Sequence, residues 1–225
     1  MELTYYGHAT FLAKVNGKSL LFDPFITYNE LAKHIEVASI RADYVLISHG
    51  HQDHVADVAP IAKASEATLI ANYEIISWFA GQGLEKGHPL NHGGKAVFDF
   101  GTVKYVNAVH SSVLPDGTYG GNPGGFIVYG DKTFYFAGDT ALTMDMQLIP
   151  HFATLDFAIL PIGDNFTMGY EDAVIAAEMI GCQKIIGMHY DTFAPIKIDH
   201  EKAKAAFEAV GKELHLLEIG QTIVL

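Results

Sequence analysis

Short apolar runs, rich in β-branched and aromatic residues and bounded by turn residues, recur along the whole chain. Runs of this kind are typical of buried strands. In the first half of the chain they predict strands at 3–6, 11–15, 20–22, 44–47, 68–71, 96–98 and 103–109. In the second half they predict strands at 126–129, 133–136, 157–160, 184–187 and 214–217. The pattern therefore predicts a protein built around β-sheets.

Helix-period segments alternate with many of these strands. They predict helices near 55–64, 74–81, 144–152, 171–180 and 199–210. The dipeptides Asn16-Gly17 and Gly130-Asp131 each join two neighbouring strands as a hairpin. Each half thus begins with hairpins and ends in alternating strands and helices. We expect an α/β fold of two sheets packed face to face with helices outside them, a four-layer αββα sandwich, in one domain spanning residues 1–225.

Composition and charge narrow the class of protein. Of the 225 residues, 49% are hydrophobic and 18% are charged, as in a soluble globular enzyme. No apolar stretch has the roughly 20 residues that span a bilayer, and the acidic start at Glu2 lacks the pattern of a secretory signal. We therefore expect a cytoplasmic protein with no membrane partner. The net charge of −12 disfavours nucleic acid as a partner. A small-molecule substrate is expected, and a homo-oligomer is left open.

The motif His49-Gly50-His51-Gln52-Asp53-His54 carries three imidazoles and a carboxylate directly after the strand predicted at 44–47. Ligand sites of open α/β sheets gather at the carboxyl ends of strands. Imidazole nitrogens and carboxylate oxygens bind divalent metals such as zinc. Four such groups are more than one ion with an open position takes from a single loop. The motif therefore indicates two metal ions.

Three further ligand-type residues also follow apolar strands. They are His110, Asp139 and His189. A strand end is a rigid mount that keeps the geometry of a ligand tight. We therefore expect these residues to join the histidine motif in one site.

The complete motif and the three later residues, in this order, resemble the metallo-β-lactamase superfamily, and the resemblance covers the whole chain. The segments Gly7-His8-Ala9-Thr10, Phe22-Asp23-Pro24 and 161–169 look like the UPF0173 group of metal-dependent hydrolases. That group is similar to the ascorbate-6-phosphate lactonase branch. The resemblance implies the metallo-β-lactamase fold.

The resemblance also implies a division of the metal ligands. His49, His51 and His110 would bind the first ion, Asp53, His54 and His189 the second, and Asp139 would bridge the two. Zinc is the expected metal, with manganese, iron or nickel as alternatives. Two such ions, about 3.5–4 Å apart, can share a hydroxide that attacks a carbonyl or phosphoryl centre. Asp53 would orient that nucleophile or shuttle a proton.

Three other residues are candidates for supporting roles, each with a plainer alternative. Asp23 would support the metal loop by hydrogen bonds, or it is a turn acid before Pro24. His8 would bind a substrate oxyanion, or it satisfies a backbone carbonyl. Asn165 would donate to a developing oxyanion, or it belongs to a loop that caps the following helix. The long glycine-rich stretch 111–125 is expected to be a substrate loop, either mobile or in close backbone contact.

The function that follows is a binuclear metal-dependent hydrolase of a small ester, lactone or phosphoester, an anionic substrate being one option. Di-iron redox enzymes of the same superfamily carry glutamate where this chain has His51, which disfavours redox chemistry. Two alternatives stay open. One is a nuclease-type phosphodiesterase, and the other is a non-catalytic binding module that metal ions stabilise.

Overall fold

The first of two seven-stranded sheets comes mostly from the first half of the chain. The computed structural model describes residues 1–225. The strands of this sheet are β1 (Glu2–Gly7), β2 (Thr10–Val15), β3 (Lys18–Phe22), β4 (Tyr44–Leu46), β5 (Thr68–Ala71), β6 (Gly87–Pro89) and β14 (Thr222–Val224). Their order is β14-β1-β2-β3-β4-β5-β6. The pairs from β14 to β3 are antiparallel and those from β3 to β6 are parallel.

The second sheet repeats this plan. Its strands are β7 (Lys95–Phe98), β8 (Gly101–Asn107), β9 (Gly124–Tyr129), β10 (Thr133–Phe136), β11 (Phe157–Pro161), β12 (Lys184–Met188) and β13 (Glu213–His215). Their order is β13-β12-β11-β10-β9-β8-β7. The pairs from β7 to β10 are antiparallel and those from β10 to β13 are parallel. The two sheets differ in one respect, since the outer antiparallel strand of the first sheet comes from the end of the chain.

Six helices complete the layers: α1 (Gln52–Val55), α2 (Val58–Ser65), α3 (Tyr73–Ala80), α4 (Ile149–Phe152), α5 (Tyr170–Met179) and α6 (His200–Glu208). A core of 42 buried residues fills the space between the sheets and continues beneath α5 and α6. Within it, the rings of Phe22 and Phe136 lie 4.8 Å apart. A second core of 18 residues lies between the first sheet and α2 and α3. The expected αββα sandwich is confirmed.

The structure departs from the sequence-based elements in a few places. Every predicted strand is present to within a few residues, but β6 and β14 are additional. The helix predicted near 55–64 is divided into α1 and α2, because the backbone N–H of Asp57 between them donates to the carbonyl of Pro24 at 3.0 Å and does not continue the helix. The segment predicted as a helix near 144–152 is a 3₁₀ turn at Met144–Leu148 followed by α4. No helix has both the length and the apolar character that crossing a membrane requires.

Candidate metal centre

Strand direction explains why the predicted ligands meet. In the first sheet, β1, β3 and β4 run in the same direction, and in the second sheet β8, β10 and β12 do so. Each of these strands ends at one edge of the sandwich and is followed by a candidate residue. The first sheet supplies His8, Asp23 and the motif at 49–54, and the second sheet supplies His110, Asp139 and His189. The site therefore lies where the two sheets face each other at this edge.

Asp139 is at the centre of the cluster. Its Oδ2 lies 3.0 Å from Nε2 of His189, 3.3 Å from that of His54, 3.5 Å from that of His110 and 3.9 Å from that of His49. Burial alone would raise the pKa of this carboxyl group, but the neighbouring charges of His189 and His54 outweigh it and hold the pKa well below its ordinary value. Asp139 is thus an ionised carboxylate among imidazoles.

One group of ligand atoms consists of three imidazoles. One ring nitrogen from each of His49, His51 and His110 lies within 4.8 Å of the other two. Nε2 of His49 is 3.0 Å from Nδ1 of His51. The other ring nitrogen of each faces a hydroxyl group, with Ser48 Oγ 3.0 Å from His49 and Ser111 Oγ 3.2 Å from His51. Each of these two rings therefore directs one nitrogen into the site and anchors the other.

The second group of ligand atoms contains a carboxylate. A carboxylate oxygen of Asp53 and one ring nitrogen from each of His8, His54 and His189 all lie within 4.8 Å of one another. Asp53 and His54 belong to the single-turn helix α1, which His51 precedes as the capping residue. Nδ1 of His54 donates to Asp23 Oδ2 at 2.8 Å, so that Nε2 faces the interior of the site. Asp139 Oδ2 lies within 3.9 Å of members of both groups, and Asp23, His49 and His54 form a third group that links them.

Unpaired polar atoms show that these residues fit a metal. Five buried side-chain nitrogen or oxygen atoms have no hydrogen-bond partner, and four of them are Nε2 of His54, Oδ1 of Asp139 and both ring nitrogens of His189. A buried polar atom without a partner costs about 1–3 kcal/mol. Divalent ions would satisfy such atoms, and imidazole with carboxylate is a donor set that zinc prefers. The site is therefore suited to hold metal ions.

Comparison with known proteins agrees with this geometry. A sequence profile described as a beta-lactamase superfamily domain matches residues 2–189. The chain belongs to the metallo-β-lactamase superfamily. A UPF0173 metal-dependent hydrolase from Flavobacterium johnsoniae is 55% identical, and one from Methylacidiphilum infernorum is 47% identical, each over 100% of both chains. A solved metallo hydrolase from the archaeon Ignicoccus hospitalis is 34% identical with a TM-score of 0.89, covering 99% of this chain and 97% of its own. This protein is accordingly a metal-dependent hydrolase.

The hydrolase has a pocket of about 430 Å³ directly over the cluster. Its lining contains Ser111 and three apolar residues, Phe166, Phe193 and Pro195. The remaining lining residues are the predicted ligands His51, Asp53, His110, Asp139 and His189. The three apolar residues were not predicted as site residues. Nothing in their own chemistry distinguishes them from other loop residues, and only the folded loops show that they face the pocket.

His8 lies beside the metal ligands, and its side chain does not line this pocket. Its Nε2 is 3.1 Å from Asp53 Oδ2, and its Nδ1 is 3.0 Å from Thr192 Oγ1. Burial and then the charge of His189 lower the pKa of His8 to about 4. The neutral ring therefore donates through Nε2 to the carboxylate and accepts from the threonine hydroxyl. The ring of His8 therefore contacts Asp53 and Thr192, whereas the sequence offered a substrate oxyanion or a backbone carbonyl as its partner.

Asn165 is exposed and is not part of the pocket lining, whereas its neighbour Phe166 is. The segment leads into helix α5, which Gly169 caps. No side chain of the loop caps the helix and Asn165 makes no side-chain hydrogen bond, so the structure assigns it neither of the two expected roles, while Phe166 beside it lines the pocket.

Three of the candidate residues have backbone conformations that side chains disfavour. The φ angles of His8, Asp23 and His189 are 55°, 41° and 55°. Residues in this left-handed region carry local strain that the surrounding structure must offset, and such residues cluster at functional sites. In the hydrolase, each is the first or second residue after its strand, where the chain turns sharply into the site.

The glycine-rich stretch 111–125 is held firmly against the histidine motif. Ser112 Oγ accepts from the backbone N–H of Gly50 at 3.0 Å and donates to the carbonyl of Gly120 at 2.9 Å. A Cβ atom at Gly120 would fall on that hydroxyl oxygen, which explains the glycine. Of the two options that the sequence allowed, the structure therefore has close backbone contact. Only Ser111 of this stretch lines the pocket.

Proposed function

We propose that this protein is a binuclear hydrolase that directs water at a small ester, lactone or phosphoester. The observation that carries the proposal is the two groups of ligand atoms, with Asp139 Oδ2 close to members of both. The first ion would be held by His49, His51 and His110, and the second by Asp53, His54 and His189, as the family resemblance implies. Bound metal ions would supply a nucleophile from water at neutral pH and polarise the oxygen of the substrate.

We assign to Asp53 the handling of the proton of the attacking water. It lines the pocket, and 28% of its side chain is exposed. Burial would raise its pKa, but the charge of His54 and the hydrogen bond from His8 hold the pKa below the ordinary value. The carboxylate therefore stays ionised as an acceptor. Its contact with His8 fixes its direction toward the pocket.

The number of ions tests the binuclear arrangement. We expect two zinc ions per chain after loading, counted by elemental analysis, and one per chain in Asp53→Ala, in which the three-imidazole cluster is intact. Manganese, iron and nickel are loaded in parallel, since the donor set accepts them as well. Saturation of the unaltered chain at a single ion would contradict the proposal.

A panel of substrates tests the reaction. Carboxylic esters, lactones, thioesters and bis(p-nitrophenyl) phosphate are each incubated with the zinc-loaded protein, with the metal-free protein and with Asp53→Ala. Hydrolysis should require metal and fall by two or more orders of magnitude in Asp53→Ala. Turnover confined to the phosphodiester would identify the nuclease-type alternative. A loaded protein that hydrolyses nothing would favour the binding module.

A further inference from the structure

We propose that the pocket is selective for a neutral substrate whose apolar alkyl or aryl part lies against Phe166, Phe193 and Pro195, and that it discriminates against substrates with a separate anionic group. This inference rests on the proposed function, in which water attacks at the metal centre. The inference concerns the part of the substrate that does not react. That part would contact protein side chains and not the metal ions.

The first observation is the lack of any cationic side chain at the pocket. None of the 14 lysine and arginine residues is part of its lining. The one arginine, Arg41, donates instead to the backbone carbonyls of Ala38 and Ile40, at 2.7 and 2.8 Å. Recognition of a phosphate or carboxylate ordinarily uses charge-assisted hydrogen bonds from such residues. An anionic group at a distance from the reacting centre would have no partner of this kind.

The acidic side chains at the pocket and the net charge of the chain also disfavour an anionic substrate. Asp53 and Asp139 both line the pocket, and neither is paired there with a lysine or arginine. The whole chain carries a net charge of −12. Any metal ions would be occupied by these ligands and by the reacting oxygen of the substrate. A second negative group would therefore find neither a lysine or arginine nor a free metal position to pair with.

The second observation is an apolar wall of the pocket, formed by Phe166, Phe193 and Pro195. Phe166 is 53% exposed although it lines the pocket. Phe193 is better supported, with its ring centre 5.4 Å from that of His8 and 6.2 Å from that of Phe25. Pro195 lies in the 3₁₀ turn Ala194–Ile196 that follows it. Covering these groups with apolar substrate surface removes them from water and supplies binding energy remote from the reacting bond.

Two esters that differ only at the far end of the acyl chain test the selectivity. They are p-nitrophenyl hexanoate, which ends in a methyl group, and mono-p-nitrophenyl adipate, which ends in a carboxylate. Each rate is divided by the rate of hydrolysis in buffer to remove intrinsic reactivity. We expect kcat/KM to be at least about tenfold higher for the hexanoate. Equal values, or preference for the adipate, would overturn the inference while the proposed function stands.

Substitutions of Phe166 and Phe193 test whether these side chains bind the apolar part of the substrate. Phe166→Ala and Phe193→Ala should each lower kcat/KM for the hexanoate about tenfold and change that for p-nitrophenyl acetate much less. Phe166→Arg supplies the missing cation and should raise the rate with the adipate. The matched control is Phe152→Ala, which removes a partly exposed phenyl ring outside this pocket and should leave both rates unchanged. Equal losses on the acetate and the hexanoate would count against an apolar subsite.

Binding without turnover separates the two proposals. Saturation-transfer NMR with metal-free protein compares 4-phenylbutanol with 4-phenylbutyrate, which are alike except for the terminal charge. The alcohol should bind at least about fivefold more tightly, and Phe166→Ala should weaken it. This result would support the inference even if no ester were hydrolysed, an outcome that would remove only the proposed function. Equal binding of the two probes would overturn the inference.

Discussion

Asp23 orients one ligand of each metal cluster although it touches neither the pocket nor solvent. Its side chain accepts from Nδ1 of His54 at 2.8 Å, from the backbone N–H of Ser48 at 2.7 Å and from the hydroxyl of the same serine. That hydroxyl in turn accepts from Nδ1 of His49 at 3.0 Å. Burial raises the pKa of Asp23, and the charge of His54 together with these hydrogen bonds opposes the rise. The carboxylate therefore sets the ring orientation of both histidines.

Asp23→Asn should weaken metal binding while the protein stays folded. An amide cannot accept from all three donors, so the rings of His54 and His49 lose their fixed direction. Loss of such a supporting hydrogen bond typically lowers metal affinity about 10–100-fold. Competition with a chromophoric chelator measures the affinity, and circular dichroism checks the fold. Glu66→Gln, an exposed acid with the same change of charge, is the control. Equal affinities in the two variants would contradict the role of Asp23.

Single residues were predictable from the sequence where their chemistry is distinctive. His49, His110 and Asp139 each combine a metal-binding side chain with a position after an apolar strand, and two independent signals identify them. Phe166 and Phe193 carry no such signal, because phenylalanine is as common in cores as in pockets. Their role depends on loop conformation, which tertiary contacts determine.

At the scale of elements, Asn72 connects helix α3 with the long loop above it. Its Oδ1 caps the helix by accepting from the backbone N–H of Ile75 at 2.9 Å. Its Nδ2 donates to the carbonyls of Gly120 at 2.7 Å and Asn122 at 3.3 Å. One buried amide therefore stabilises both the start of the helix and the segment that carries Ser111.

Asn72→Ala should destabilise the protein more than the loss of a helix cap alone. A lost cap costs about 1 kcal/mol, and the loss of the two hydrogen bonds to the loop carbonyls adds about 1–2 kcal/mol. We expect a total of about 2–3 kcal/mol in urea unfolding. The control is Asp199→Ala, which removes the cap of α6, formed with the N–H groups of Glu201 and Lys202, together with an exposed ion pair to Lys202. If both variants lost the same stability, the contacts of Asn72 with the loop would be energetically negligible.

Elements with a strong apolar pattern were predictable and weakly patterned ones were not. Strand β11 is entirely buried and its apolar run is plain in the sequence. Strand β6 consists of Gly87, His88 and Pro89, residues that rarely indicate a strand. It forms because β5 presents an open parallel edge to it. Pairing of this kind is a tertiary effect and leaves no periodic signal.

At the scale of the whole molecule, the two sheets repeat one topology, and this repetition brings the ligands together. Strands that run in the same direction in the two sheets, β1, β3 and β4 in one and β8, β10 and β12 in the other, end at one edge, and this brings together the candidate residues that follow them. The order of elements in the sequence already predicted two similar halves. The facing of the two edges could not be predicted, because it depends on how the sheets pack across the shared core.

The buried tyrosines predict how stability depends on alkaline pH. Burial raises the pKa values of Tyr5, Tyr105, Tyr135 and Tyr190 above their ordinary value. Below about pH 10 these phenols are protonated in the folded and unfolded states alike. Above it the unfolded chain releases their protons while the folded protein retains them. Stability should therefore fall by about 1.4 kcal/mol per pH unit for each buried tyrosine.

Absorbance at 295 nm and far-UV circular dichroism, recorded along one alkaline titration, check this prediction. The tyrosinate signal of the 11 tyrosines should reach its full amplitude only as the fold is lost. Full ionisation of all tyrosines in a protein that retains its native dichroism would contradict it.

The pairing of β14 with β1 has a consequence for the speed of folding. Ile223 pairs with Leu3, and the backbone N–H of Leu225 donates to the carbonyl of Met1 at 3.0 Å. Contacts between such distant parts of a chain require closure of a very large loop, which slows folding. A circular permutant that joins Leu225 to Met1 through a short linker would turn this closure into a local hairpin. The order in which the sheets assemble would then change while the final structure stayed the same.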